Sequence, residues 1–189
     1  MTVYSLMLII ATVMVIITLC LDYKLSDTEI IEVRPFSPHP LTLDEKTDKK
    51  MSFHTELLFV NEGKQCGTIM DAIVRSQLPY EQYDGIEVRA KAERQGYPRE
   101  DDYFEAVIIQ KKGVKDDRMT MLIKVTLTAR KGLNLTEALA NMVDLPLDLI
   151  YQQTGRTVVH YKKLRLTIKA EEIAKLAGVK LLAQPFIMK

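Results

Sequence analysis

The stretch from Val3 to Leu21, "VYSLMLIIATVMVIITLCL", contains no charged residue, no Gly and no Pro. At about 1.5 Å of rise per residue, a helix of that length covers most of a hydrocarbon layer about 30 Å thick. A helix packed in a soluble core keeps a polar side, whereas this run is apolar all round. A cleaved secretory signal carries Lys or Arg before the apolar run and a small-residue cleavage site after it. Neither pattern is found, and Leu19 is too bulky for the small residue that precedes a lipoprotein cysteine. The sequence therefore predicts a retained single-pass anchor over residues 1–21 that meets the lipid bilayer through residues 3–21, with Cys20 as one more apolar residue near its end. Charge does not fix the orientation, because Lys24 and Arg34 follow the helix among Asp22, Asp27, Glu29 and Glu32.

The rest of the 189 residues suffices for one ordinary domain. A hydrophobic content of 47% with 27% charged residues is that of a globular chain. The net charge of +1 supplies no broad electrostatic attraction for nucleic acid. Residues 22–50 read as a stalk. Pro35, Pro38 and Pro40 favour an extended path, "DEKTDKK" is a solvated charge run, and "TEIIEV" is a candidate short strand.

From Met51 to Lys189 a period of two dominates. Phe53, Thr55, Leu57 and Phe59 share one face of a strand. Ile86, Val88, Ala90 and Ala92 alternate with Glu87, Arg89, Lys91 and Glu93. Met119, Met121, Ile123, Val125 and Leu127 alternate with Thr120, Leu122, Lys124, Thr126 and Thr128. Such alternation marks antiparallel strands with one face inward and one wet. "YFEAVIIQ", "LDLIYQQ" and "TVVHYKKLRLTI" are further strands, and "NEGKQCG", "RQGYPRED", "KKGVKDD" and "QTGR" are turns. Two short helices interrupt the pattern. Asn134 and Glu137 form a capping-box pair ahead of Leu135, Ala138, Leu139, Met142 and Val143, with Pro146 as the stop. "KAEEIAKLAG" ends on Gly178, a suitable C-terminal cap. The predicted fold class is mainly β: an antiparallel β-sandwich over residues 51–189 with two short helices, behind a transmembrane helix and a stalk.

The stretch "FVNEGKQCGTIMDAIVR", Phe59 to Arg75, runs strand, N-x-G, short loop, glycine, strand. It resembles the opening hairpin of immunoglobulin-like and CARDB-like β-sandwich domains, and this resemblance implies a fold that binds or assembles rather than catalyses. Asn and Gly tolerate positive φ, which accounts for the turn without a ligand. The same stretch invites comparison with cupredoxins, because Cys66 and Met70 lie on one loop and His54 lies upstream. No histidine stands between Cys66 and Met70, so the copper ligand set is incomplete and no cofactor or metal is expected.

The remaining candidates favour structural roles. The three histidines, His39, His54 and His160, are scattered, and no nucleophile elbow, P-loop or dinucleotide fingerprint occurs. The pairs Asp101–Asp102 and Asp116–Asp117 sit in turns. No catalytic residue is assigned. Lys162, Lys163, Arg165 and Lys169 make the last strand basic, which suits an edge strand protected from aggregation better than a headgroup-binding surface. "NLT" at Asn134 fits a glycosylation sequon, but the same Asn serves the helix cap. The tail "LLAQPFIMK" is the best partner-binding candidate, through Leu181, Leu182, Phe186, Ile187 and Met188, with completion of the core as its competing role. The expected function is a non-catalytic, membrane-anchored accessory or scaffolding subunit, or a binding module for other membrane protein subunits. The alternative is a pilin-like filament subunit, against which stand the missing basic leader and the proline stalk between helix and domain.

Overall fold

A computed structural model describes residues 3–25, 28–35, 40–78, 85–98 and 104–182. The apolar run forms one helix, α1 (Val3–Leu25). Two antiparallel sheets follow. In the first, β3 (Lys50–Asn61) pairs with β7 (Arg118–Ala129), which pairs with β5 (Ile86–Arg94). In the second, the order is β6 (Val107–Ile109), β4 (Gly67–Ser76), β8 (Leu145–Thr154), β9 (His160–Ile168).

The alternation seen in the sequence is the one the fold uses. Met51, Phe53, Leu57 and Phe59 of β3 are buried with Met119, Met121, Ile123, Val125 and Leu127 of β7. The register sets Phe53 opposite Val125 and Leu57 opposite Met121, so both strands present one apolar face. The second sheet answers with Ile69, Leu147, Leu149, Tyr151, Leu166 and Ile168. Phe59 and Tyr151 meet across the gap edge to face, with ring centroids 5.4 Å apart. The chain is a two-sheet β-sandwich.

Residues 22–50, expected to be a stalk with a candidate short strand in "TEIIEV", contribute to the first sheet. Two strands within them, β1 (Ile31–Pro35) and β2 (Thr42–Lys46), pair with the same edge of β3. β1 lies along Leu57–Asn61 and β2 along Met51–His54. The sheet thus begins near Ile31 rather than Met51, and the proline segment lies between two strands rather than between helix and domain. An edge strand bonds along one side only and tolerates charge, so the exposed "TLDEK" reads as solvated sequence and still pairs.

Two short helices add to the core of the sandwich through Leu135, Ala138, Leu139, Ile173 and Ala177. In α2 (Leu135–Ala140) the Glu137 amide donates to Asn134 Oδ1 at 2.8 Å, and the Asn134 amide donates to Glu137 Oε2 at 3.0 Å. This is the expected capping box. The helix ends earlier than expected, at Asn141, and Pro146 lies inside β8, where its carbonyl accepts from the Gln77 amide at 2.8 Å. α3 (Ala170–Ala177) ends on Gly178 in the left-handed conformation (φ 67°), whose amide bonds back to Ala174 and Lys175.

β9 is an edge strand, as its lysines suggested. Its basic residues also have a specific task. Asp148, buried on the outer side of β8, receives Arg165 Nε and Nη2 at 2.8 and 3.1 Å and Lys163 Nζ at 2.7 Å. These hydrogen bonds hold its carboxyl at about 2, below the usual carboxylate range.

Candidate functional site

The least ordinary chemistry in the described structure lies where the chain leaves α1 and enters the sandwich. Residues 28–31 run through a slot lined by three glycines. A Cβ on Gly63 would stand 2.4 Å from the Thr28 carbonyl oxygen and 2.5 Å from the Ile30 nitrogen. A Cβ on Gly67 would stand 2.7 Å from Ile31 Cδ1, and one on Gly155 would stand 2.5 Å from Glu29 Cδ. At Gly63 the obstacle is main chain, which cannot rotate aside, so that position is small because another part of the chain passes over it, whereas at Gly67 and Gly155 the nearest atoms are side-chain atoms of Ile31 and Glu29. The N-x-G turn does not use the positive φ expected of it: neither Asn61 nor Gly63 has one.

Asn61 is the clamp of this slot. It is 0% exposed and uses both ends of its side chain. Oδ1 accepts from the Ile30 amide at 3.2 Å and from the Gly63 amide at 2.9 Å, while Nδ2 donates to the carbonyls of Gln65 (2.7 Å) and Ile109 (3.3 Å). One residue thereby ties the segment after α1 to the β3–β4 turn and to the end of β6.

Glu29 makes the second attachment, to the β8–β9 turn. Its Oε2 accepts from the Arg156 amide at 2.9 Å, and its Oε1 accepts from the Thr157 amide at 3.2 Å and from the Thr157 hydroxyl. Burial works against the charge, but the Thr157 hydroxyl and the two backbone N–H groups outweigh it and hold the carboxyl below its ordinary value. The third attachment reaches the helix itself. Arg156 Nη2 donates to the Tyr23 carbonyl at 2.7 Å, and its guanidinium lies 4.3 Å from the centre of the Tyr23 ring. The arrangement is a mechanical coupling between an apolar helix and a sandwich.

The residues singled out in the sequence are dispersed around it. Cys66 is exposed with its thiol 3.1 Å from Gln110 Oε1, and its carbonyl borders the slot at Gly155. His54 lies on β3 and pairs with Asp44 at 2.7 Å, while Met70 belongs to β4. Among the described residues, no group of three His, Cys, Asp or Glu side chains is placed to hold a metal ion. Leu181 packs against the core, and Leu182 is 61% exposed with its amide bonded to the Ala140 carbonyl at 2.8 Å. Phe186, Ile187 and Met188 lie outside the described residues. Sequence reading passed over Glu29, Asn61 and Arg156 as clamp residues. The available signal was glycine density: Gly63, Gly67 and Gly155 stand at strand ends where no positive φ is needed.

No protein-family model matches the sequence, and no curated protein matches it either. Among solved structures, the chain is similar to the yeast GGA1_GAE domain-P21 crystal structure. That match has a TM-score of 0.35 and 9% identity and covers 76% of this chain and 96% of that one. The GAE domain of GGA2p from Saccharomyces cerevisiae gives a TM-score of 0.36 at 7% identity, over 77% and 99% of the two chains. A family 123 glycoside hydrolase from Clostridium perfringens gives 0.34 at 8% identity, with 84% of this chain matched to 28% of the enzyme. At these values the similarity carries no functional inference.

Proposed function

We propose that this protein is a non-catalytic accessory or binding subunit, held at a membrane by α1 and presenting its sandwich in a fixed attitude through the junction at Glu29 and Asn61. The observation that carries this reading is the state of α1. None of the Val3–Tyr23 span is buried in the fold, and its described attachment to the sandwich is at the Tyr23 end. Keeping one large aliphatic side chain in water rather than apolar surroundings costs about 1.5–3 kcal/mol, so a helix exposing this many needs a lipid or protein environment. The buried acids support a structural domain. Asp148 is neutralised by Arg165 and Lys163, Glu93 is paired with Lys124, and Glu29 accepts from two backbone amides and the Thr157 hydroxyl. We assign partner contact to the C-terminal tail, Leu181, Leu182, Phe186, Ile187 and Met188. The exposure of Leu182, whose amide is bonded to the last residue of α2, supports that assignment.

The pilin-like alternative gains one observation: the segment that packs against Gly63 begins at Thr28, three positions after α1 ends at Leu25. Native mass spectrometry of the full chain in mild detergent distinguishes the readings. A stoichiometric complex with a second protein is the expected result. Filaments favour the pilin plan, and a lone monomer contradicts both.

A further inference from the structure

We propose that the tip of the β8–β9 hairpin is a second membrane contact, with Val158 and Val159 seated in the lipid interface beside α1 and Tyr161 at the headgroup level. The inference rests on α1 spanning the bilayer and goes beyond it, because anchoring alone leaves the sandwich free of the lipid surface.

Tyrosines bracket the apolar run. Tyr4 and Tyr23 are separated by about 29 Å along a straight helix, close to the hydrocarbon thickness, and Tyr rings favour the boundary between hydrocarbon and water. This puts Tyr23 at the boundary. Arg156 holds the Tyr23 carbonyl and stacks on its ring, so the hairpin tip is fixed at the same level. Val158 follows two residues later, within about 7 Å of chain, and the interfacial layer on each side of a bilayer is of similar depth.

The tip has the composition of an interfacial contact. Val158 is 86% exposed and Val159 48%. Tyr161 is 73% exposed, its hydroxyl accepting from Gln152 Nε2 at 3.2 Å while its ring faces outward. An amphipathic ring of this kind suits the headgroup level. Arg156 adds a cation for lipid phosphates. The Glu29 clamp on Thr157 keeps the tip from swinging away from the helix base, so depth is set by the fold. Continuity with α1 and the mixture of valine, tyrosine and cation identify the occupant as lipid.

The chain has no tryptophan, so a single introduced one reports its own position without background. Three full-length variants are placed in phosphatidylcholine vesicles whose acyl chains are brominated either near the headgroup or near the methyl end: Val158→Trp, Val13→Trp in mid-helix, and Glu171→Trp on α3. All three positions are exposed in the fold, so folding is not at stake. The expected result is that bromine near the headgroup reduces Val158→Trp emission to less than half and acts more strongly than bromine near the methyl end. Val13→Trp is quenched more by the deep bromine, and Glu171→Trp is unaffected. Unquenched Val158→Trp beside quenched Val13→Trp overturns the hairpin contact and leaves the anchor standing. Unquenched Val13→Trp overturns the anchor and the hairpin contact together.

Discussion

Asn61→Ala is expected to lower the unfolding free energy of the sandwich by about 3–5 kcal/mol, because each donor left buried without an acceptor costs about 1–3 kcal/mol. The alanine abandons the amides of Ile30 and Gly63 and the carbonyls of Gln65 and Ile109 at once. With total stability of about 5–15 kcal/mol for a folded domain, the loss is a large share of the whole. Urea unfolding of the full chain in detergent, followed by near-ultraviolet circular dichroism of its eight tyrosines, measures it. Asn61→Asp is expected to be no better, since it keeps an acceptor toward the two amides but turns a carboxylate toward two carbonyls. A loss under about 1 kcal/mol, the net worth of one ordinary hydrogen bond, contradicts the clamp.

The second large effect is expected at Gly63. Gly63→Ala inserts a methyl group at 2.4–2.5 Å from backbone atoms of residues 28–30, which cannot rotate aside as a side chain can. The segment has to lift, breaking the Glu62 amide bond to the Ile30 carbonyl (2.7 Å) as well as the Asn61 contact. Overpacking of a tight site costs about 1–3 kcal/mol, and the upper end applies where the obstacle is main chain. Gly96→Ala is the comparison. Gly96 has φ +79° and open space around its Cβ position, so alanine there meets conformational strain alone, about 1–2 kcal/mol. If Gly63 were merely a turn glycine, it would tolerate alanine at least as well as Gly96. The account requires it to be the worse site in the same unfolding measurement.

Much of the sandwich was legible because its long strands pair on both sides and bury one face. Strict alternation in β3 and β7 is what such strands must show, and the capping chemistry at Asn134 and Gly178 is local enough to read from neighbours. β1 was legible only as the candidate strand in "TEIIEV", and β2 escaped, for the opposite reason. They are short, charged and bonded along one edge, so burial imposes little pattern on them. Pro146 was misread as a helix stop because a proline after an apolar stripe looks the same whether it ends a helix or opens a strand. The junction was illegible in principle from local spacing. Ile30 meets Asn61 across 31 positions and Glu29 meets Thr157 across 128, so the glycines that make room for them are explained only by chain that is distant in sequence. The Asp148 cluster belongs to the same class: the basic character of β9 was visible, but the buried carboxylate opposite it came from pairing register.

If α1 is a bilayer span carrying the sandwich, as proposed, the chain behaves as an integral membrane protein on extraction from membranes. Membranes containing the full chain are washed at alkaline pH, which strips peripheral proteins, and are then floated on a density gradient. The same is done with Val13→Lys/Ile17→Lys, where each lysine near the middle of the helix opposes insertion by about 2.5–3.5 kcal/mol. The unaltered chain is expected to float with the lipid after the wash, and the double-lysine chain to be lost to the soluble fraction. Release of the unaltered chain by the wash would contradict the proposed span.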